Sequence, residues 1–273
     1  MTGTAFVQSR LEELVGVTVE EVLALEGFPD ESGAVVYVSG SVFSGHGNPW
    51  SDIDVFALTD RKPVGSLAQA ASTNDTSQHI VNGRRFDWEF WRPEGVRQLA
   101  ERVSRVELGT GRDILGTAFL HIEQCFIHRL RVGIPILDQE GFAGYRERFD
   151  FDRFRAFQAE EAIRWLDALV EDLCGMIEVS DADAALFTSR ELVGTAVDAY
   201  CHHHGNTDPV RKWRVKHLEA LAAESERHRE VCGTFWRLQF PDAASLRTDW
   251  QACQSHLEEC LRFAERLAAS VQQ

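Results

Sequence analysis

The chain has 273 residues, of which 44% are hydrophobic and 26% charged, a composition typical of a globular protein with one large or two modest domains. Its formal net charge of −15 argues against a long nucleic acid as substrate, because binding a phosphate backbone requires a basic surface. No window is apolar for long enough to span a membrane, and Met1–Arg10 lacks a basic-then-apolar signal pattern, so we expect a cytoplasmic protein.

The first part of the chain predicts helices followed by short buried strands. A helix is expected over residues 6–26, where Thr18 and Glu21 have the spacing of a capping box. Apolar runs at Val35–Val38 and Val55–Leu58, bounded by Gly, Pro and Ser, predict two buried strands.

A hairpin is expected after these strands. Residues 61–78 are polar and predict a loop with a short helix, and Asn82-Gly83 then joins strands at Gln78–Val81 and Arg85–Trp91. This hairpin would return a strand beside the one that follows Asp52. The remaining elements expected in this part are helices at 93–106 and 114–131 and an edge strand at 133–138.

Two acidic residues open the second predicted strand, and a Gly-Ser pair ends the first. Side chains alternate across a strand, so Asp52 and Asp54 point to the same face. Neighbouring carboxylates repel one another unless a cation neutralises them, and oxygen ligands of this kind suit Mg²⁺ or Mn²⁺. Gly40 and Ser41 supply a backbone that can approach a phosphate closely, with amide and hydroxyl donors. The combination predicts phosphoryl or nucleotidyl transfer.

The order of Gly40-Ser41, a loop, and Ser51-Asp52-Ile53-Asp54 resembles the signature of the polymerase-β-like nucleotidyltransferases, in particular the small-molecule type that includes aminoglycoside nucleotidyltransferases. The resemblance implies an α+β fold, in which a mixed sheet flanked by helices is followed by an α-helical bundle domain. It also implies that Gly40, Ser41 and Ser51 contact the nucleotide.

The same resemblance requires a third acidic residue on a later strand. Asp87 is expected in this role, so that Asp52, Asp54 and Asp87 would hold two Mg²⁺ ions. Glu89 lies on the same strand face two residues further on and is the rival for the third position. Either Asp87 or Glu89 would serve as general base.

From Phe151 onward, apolar residues recur at three- and four-residue spacing, which predicts helices throughout. Short connections favour a bundle of antiparallel neighbours. We therefore expect a catalytic domain at 1–148 and a helical domain at 149–273. The expected helices are 151–178, 181–204, 209–223, 225–238 and 244–271.

One basic segment of the helical part is a candidate binding element. Asp208 is expected to cap a helix that begins at Pro209, which would place Arg211 and Lys212 in its first turn, where anions are favoured. Related enzymes have a basic helix of similar composition, and this resemblance implies that Lys212 and Arg211 contact a triphosphate at the interface with the first domain. A solvated basic face is the alternative, and the spacing of Arg211 and His217 also matches a family of helical ribonucleases.

Together these features predict a Mg²⁺-dependent nucleotidyltransferase. It would move a nucleoside monophosphate, with ATP the donor expected from the resemblance, to a hydroxyl of a small molecule such as an aminoglycoside-type antibiotic, and release pyrophosphate. Such an activity would confer antibiotic resistance. The alternatives are AMP transfer to a protein or to a biosynthetic metabolite, nucleotide oligomer or cyclic-dinucleotide synthesis, a non-catalytic nucleotide-binding regulator, and a scaffold that binds no nucleotide.

Overall fold

The computed structural model describes residues 3–28, 33–64, 69–70, 74–109 and 119–272. The chain divides into two compact units. The first contains the described residues up to Arg105 and from Phe119 to Asp150, and the second contains Val106–Gly109 and Phe151–Gln272. The predicted boundary between residues 148 and 149, taken as a division into two domains, stays a prediction.

The first unit is built on a six-stranded mixed sheet with the order β3-β4-β5-β2-β1-β6. The central pair, β2 and β5, runs parallel, and every other neighbouring pair in this sheet is antiparallel. The strands are β1 (Val35–Ser39), β2 (Ile53–Leu58), β3 (Gln69–Ala70), β4 (Asp75–Val81), β5 (Arg84–Trp91) and β6 (Ile134–Leu137).

Helices cover both faces of this sheet. One face is mostly apolar, and Ile53, Val55 and Trp88 belong there to one apolar core with Val7 and Leu11 of the first helix. On the opposite face, the rings of Trp91 and Phe126 stack with their centroids 4.1 Å apart. The ring centroids of Tyr37 and Phe142 are 5.0 Å apart. The helices of this unit are α1 (Gly3–Val15), α2 (Val19–Ala24), α3 (Pro93–Arg105), α4 (His121–Val132) and α5 (Gln139–Arg146).

The described residues of the second unit form helices and no strands. The central helix α7 is buried along most of its length and packs in one apolar core with α6 and α11. The elements are α6 (Phe151–Glu178), α7 (Ala182–His203), a 3₁₀ turn (Arg211–Trp213), α8 (Arg214–Ala222), α9 (Glu226–Gln239), α10 (Ala243–Thr248) and α11 (Trp250–Val271). A mixed sheet flanked by helices, followed by a helical unit, confirms the predicted α+β class.

Several local predictions are also confirmed. The hairpin turns at Asn82 and Gly83, whose φ angles of 51° and 79° are those of the turn that matches strand twist. Thr18 and Glu21 form both hydrogen bonds of the capping box. The edge strand appears as β6. None of the described helices combines the length and apolar character needed to cross a lipid bilayer.

Several element boundaries were predicted wrongly. The helix expected at 6–26 is two helices, because the chain turns at Gly16 with a φ of 69°. The helix expected at 244–271 is also two, because Asp249 leaves helical geometry and caps α11 through the amide of Ala252. The helix expected at 114–131 begins, among the described residues, at His121, and residues 110–118 lie outside the described residues.

The polar segment at 61–78 holds more strand than its sequence predicts. Strand β4 begins at Asp75, and its polar residues are held by pairing with β5. Ser77 donates a hydrogen bond to the buried carboxylate of Glu26, and His79 Nε2 lies 2.6 Å from the same carboxylate. These contacts join residues distant in sequence, so local pattern could not reveal the start of the strand.

Candidate functional site

The parallel pairing of β2 with β5 brings the predicted acids onto one face of the sheet. Asp54 lies directly opposite Asp87. Two residues further along the same two strands, Phe56 lies opposite Glu89. On the other side of β2, Ser39 of β1 lies opposite Asp54. Because side chains alternate, Asp54, Asp87 and Glu89 therefore share the face covered by α4 and α5.

Gly40 follows the end of β1 and lies immediately beside Asp54. Its φ of 90° is one that residues with a side chain rarely adopt, and a β-carbon there would lie 1.8 Å from Oδ2 of Asp54. The turn continues through Ser41, whose carbonyl accepts hydrogen bonds from the amides of His46 at 3.0 Å and Gly47 at 2.7 Å. The Gly-Ser turn and the acid pair thus belong to one compact structure.

Two arginines that the sequence reasoning missed neutralise these acids. Arg85 forms an ion pair with Asp52, and its Nε lies 3.0 Å from Oδ1 of Asp87. Arg129 of α4 places Nη2 4.0 Å from Oδ2 of Asp54. Arg85 could have been found, because it precedes Asp87 by two residues and so shares its strand face. Nothing local identifies Arg129, which only the packing of α4 brings to the site.

The acids differ in their tendency to ionise. Burial raises the pKa of Asp87 to about 6 against the opposing charge of Arg85, with further increases from Asp52 and Asp54. Burial also disfavours ionised Asp52, but its hydrogen bonds with Arg85 and Asp87 outweigh this and lower its pKa. A proton on Asp87 can therefore be shared with ionised Asp52, as expected for two crowded carboxyl groups.

Glu89 lies on the same acidic face, beside Trp91 and Asn74. Burial raises the pKa of Glu89 to about 7, which the hydrogen bond from Trp91 opposes and the charge of Asp54 increases. Its Oε2 accepts hydrogen bonds from Trp91 Nε1 at 3.1 Å and from Asn74 Nδ2 at 3.2 Å. The pKa lies close to neutral pH, the range in which a carboxyl group both accepts and releases protons effectively.

The donor chemistry of the acidic face fits a divalent cation. Oδ1 of Asp87 is buried without a hydrogen-bond partner in the described structure, since the nearby Arg85 is at ion-pair distance but poorly oriented for a hydrogen bond. Ser39 lies opposite Asp54, and its buried hydroxyl likewise has no hydrogen-bond partner among the described residues. Within the described residues, however, no three carboxylate, imidazole or thiolate groups converge into a ligand set as they stand. A guanidinium instead joins Asp52 to Asp87.

The loop before Asp52 is held in one shape by its own polar groups. The hydroxyl of Ser51 accepts a hydrogen bond from the amide of Asn48 at 2.9 Å, and Asn48 Oδ1 accepts from the amide of Trp50 at 2.8 Å. Arg84 donates to the carbonyl of Ser51 at 2.7 Å. The predicted nucleotide-binding residue Ser51 therefore also closes this loop, which leaves the side chain of Trp50 94% exposed.

Arg211 and Lys212 lie in the second unit, on a 3₁₀ turn and not at the start of the predicted helix. Asp208 is not a helix cap: its carboxylate accepts from the amide of Val210 at 3.0 Å and lies 3.2 Å from His217 Nε2. The helix begins at Arg214, and its N-cap residue, Trp213, makes no side-chain cap hydrogen bond. The predicted N-terminal anion site is wrong in this respect, because the turn after Pro209 is not α-helical.

The cations of this segment also have different surroundings. Arg211 forms an exposed ion pair with Glu191 at 3.3 Å, and the ammonium of Lys212 lies 5.0 Å from the ring centroid of Trp213. Arg214 is held by Asp198 through two hydrogen bonds of 2.7 and 2.6 Å. Lys212 is therefore more available to a ligand than either arginine.

Comparison with known proteins gives a structural likeness but no sequence match. No protein-family model matches this chain, and no curated protein sequence matches it. Among solved structures, the chain is similar to a nucleotidyltransferase-like protein from Exiguobacterium sibiricum 255-15, with a TM-score of 0.48 and 11% sequence identity over 97% of this chain and 75% of that chain. A likeness of this extent leaves the reaction to be argued from the residues themselves.

Proposed function

We propose that the first unit is a nucleotidyltransferase, which moves a nucleoside monophosphate from a nucleoside triphosphate to a hydroxyl group and releases pyrophosphate. The observation that supports this most is the contact of Gly40 with Asp54, in register with Asp87. A turn that can accept a phosphate thus adjoins crowded carboxylates that need a cation. ATP is the proposed donor, and the proposed acceptor is a small hydroxylated molecule such as an aminoglycoside-type antibiotic.

Asp52, Asp54 and Asp87 are the residues that would hold Mg²⁺, two ions in this proposal, with Arg85 withdrawn from between Asp52 and Asp87. Mg²⁺ would supply charge neutralisation at the phosphates and make the attacking hydroxyl more acidic. The side chain of Arg85 is half-exposed and can leave toward solvent. The amide and hydroxyl of Ser41 would donate to a phosphate, and Ser51 would hold the loop beside it.

Proton transfer is assigned to the acids with raised pKa values. Asp87, or Glu89 behind it, accepts the proton of the acceptor hydroxyl. The hydroxyl oxygen then forms a bond to the α-phosphorus, the bond from that phosphorus to the β-phosphate oxygen breaks, and pyrophosphate leaves with the electron pair. The positive charge of Lys212 and Arg211 suits the anionic leaving group, and charge is all that supports their proposed role.

A second candidate is a nucleotide-binding regulator without turnover. The ion pairs of Arg85 with Asp52 and Asp87 favour it, because they neutralise both acids without a metal ion. Transfer to a protein or to a biosynthetic metabolite keeps the same chemistry with another acceptor. A net charge of −15 suits a cationic acceptor and disfavours a long nucleic acid.

The test incubates the purified protein with ATP labelled on the α-phosphate, Mg²⁺ and a panel of hydroxylated antibiotics, metabolites and protein acceptors. We expect label to appear on one acceptor, and Asp54→Ala to abolish transfer without unfolding the protein. Asp60→Asn is the matched control, since Asp60 is exposed just beyond β2. Binding of ATP without labelled product would support the regulator, and full activity of Asp54→Ala would refute the assignment.

A further inference from the structure

A cavity in the second unit lies well outside the residues discussed so far. It has a volume of about 320 Å³ and is bounded by Tyr200 of α7, Arg227 and Glu230 of α9, and Phe263 and Arg266 of α11. All of its walls belong to one compact unit, so its shape does not depend on the first unit. The volume falls within the range of small-molecule sites, which is roughly 300–1,000 Å³.

The two arginines of this cavity are exposed. Neither Arg227 nor Arg266 forms an ion pair with a carboxylate in the described part of the chain. On the same two helices, Arg237 pairs with Glu259 at 2.6 Å and Arg262 pairs with Glu258 at 3.3 Å. The one acidic residue in the lining, Glu230, leaves an excess of positive charge.

The inner wall of the cavity is apolar and well ordered by packing. Phe263 and Leu267 are buried with exposures of 2% and 4%, and the guanidinium of Arg266 lies 6.0 Å from the ring centroid of Phe263. The ring of Tyr200 is also buried, as expected for a core residue. Its hydroxyl lies 2.7 Å from His228 Nδ1, which holds the ring in place. These buried residues form a fixed floor, and an aromatic or aliphatic body would lie on it against the half-buried Val231, while its acidic group met two guanidinium groups.

We propose that this cavity binds a small organic anion, in which one carboxylate or phosphate group is attached to an aromatic or short aliphatic body. Planar guanidinium groups bind carboxylate and phosphate oxygens in pairs, which favours an anion over a neutral hydroxyl compound of the same size. The proposal is independent of the reaction assigned to the first unit, because no residue of the acidic face takes part.

The test titrates the full-length protein by calorimetry with benzoate, with phenyl phosphate and with benzyl alcohol as an uncharged probe. We expect saturable binding of at least one anion and none of benzyl alcohol, and the preferred anion distinguishes a carboxylate site from a phosphate site. The double variant Arg227→Gln/Arg266→Gln should weaken binding at least tenfold. Asp54→Ala should bind the anion as the wild type does.

The matched control is Arg229→Gln/Arg262→Gln, which removes the same charge from α9 and α11 outside the cavity. Melting temperatures of both double variants verify that they are folded, since exposed substitutions of this kind change stability little. The proposal is overturned if neither anion binds at millimolar concentration, if benzyl alcohol binds equally well, or if both double variants lose binding to the same extent.

Discussion

A β-carbon on Gly40 would lie 1.8 Å from Oδ2 of Asp54, so the carboxylate rests against the bare backbone of the turn. The same position has a φ of 90°, which only glycine adopts readily. The turn and the acid are therefore coupled: the place of the Asp54 carboxylate depends on the absence of a side chain one strand away.

Gly40→Ala should consequently displace Asp54 and strain the turn. We expect the free energy of unfolding to fall by about 1–3 kcal/mol and nucleotidyl transfer to be lost. Gly45→Ala is the control, because Gly45 has a similar φ of 79° but nothing within 4 Å of the added carbon. Urea unfolding and the labelled-ATP assay compare the two variants. Equal effects of both would show that backbone strain, and not the contact with Asp54, determines the outcome.

Arg85 should compete with a cation for Asp52 and Asp87. We expect Arg85→Gln to bind Mn²⁺ or Tb³⁺ about tenfold more tightly than the wild type, corresponding to about 1.4 kcal/mol. Metal titration by electron paramagnetic resonance or by terbium luminescence, without nucleotide, measures this directly. Arg97→Gln removes the same charge from α3, where Arg97 pairs only with Glu94 among the ion pairs of the described residues, and should change affinity little. Unchanged or weaker binding in Arg85→Gln would argue against a cation between these acids.

Glu89 should make the protein less stable as pH rises. Its pKa in the folded state, about 7, exceeds the ordinary value of 4.5, so the folded protein holds the proton more tightly than the unfolded chain. Stability is therefore lost as pH rises from about 4.5 to about 7. Glu89→Gln keeps an oxygen acceptor for Trp91 and Asn74 without the charge.

At pH 8 we expect Glu89→Gln to exceed the wild type in free energy of unfolding by about 3 kcal/mol, and at pH 4.5 to differ little. Urea unfolding at a series of pH values measures the difference between the two proteins. Glu94→Gln is the control, because Glu94 is exposed on α3. A difference that stays constant with pH would mean that Glu89 is not the titrating group.

Substitutions of Arg214 and Lys212 should distinguish a cation that stabilises the fold from one that is available to a ligand. Arg214 and Asp198 are buried to exposures of 13% and 19%, and a β-carbon on Gly194 would lie 2.2 Å from Arg214 Nη1, so α7 leaves space for this guanidinium. Arg214→Met leaves Asp198 without its partner and should cost about 3 kcal/mol of stability.

Lys212→Met should change the free energy of unfolding by about 0.5 kcal/mol or less. If Lys212 contacts a phosphate as proposed, the same variant raises the KM or Kd for nucleotide while stability is kept. Urea unfolding and nucleotide titration of the two variants test both statements. A large loss of stability in Lys212→Met would show that Lys212, like Arg214, stabilises the fold.

The parts that the sequence determined by itself are those specified by local pattern. The alternation of Asp52, Ile53 and Asp54 set two acids on one strand face, and Asn82-Gly83 fixed the hairpin that leads into the strand of Asp87. Gly40 and Ser41 marked a small-residue turn where the backbone can be approached closely, and periodic apolar residues from Phe151 onward specified a helical second half. Each of these signals acts over a few residues, so neighbouring residues suffice to read it.

Only the tertiary structure decided what surrounds the acids. The parallel register of β2 with β5 set Asp54 opposite Asp87, the packing of α4 brought Arg129 to the site, and burial behind β5 raised the pKa of Glu89 toward neutrality. The cavity between α7, α9 and α11 arises in the same way, from helices that are distant in the chain. Burial and charge contacts depend on which elements meet, and no short stretch of sequence records that.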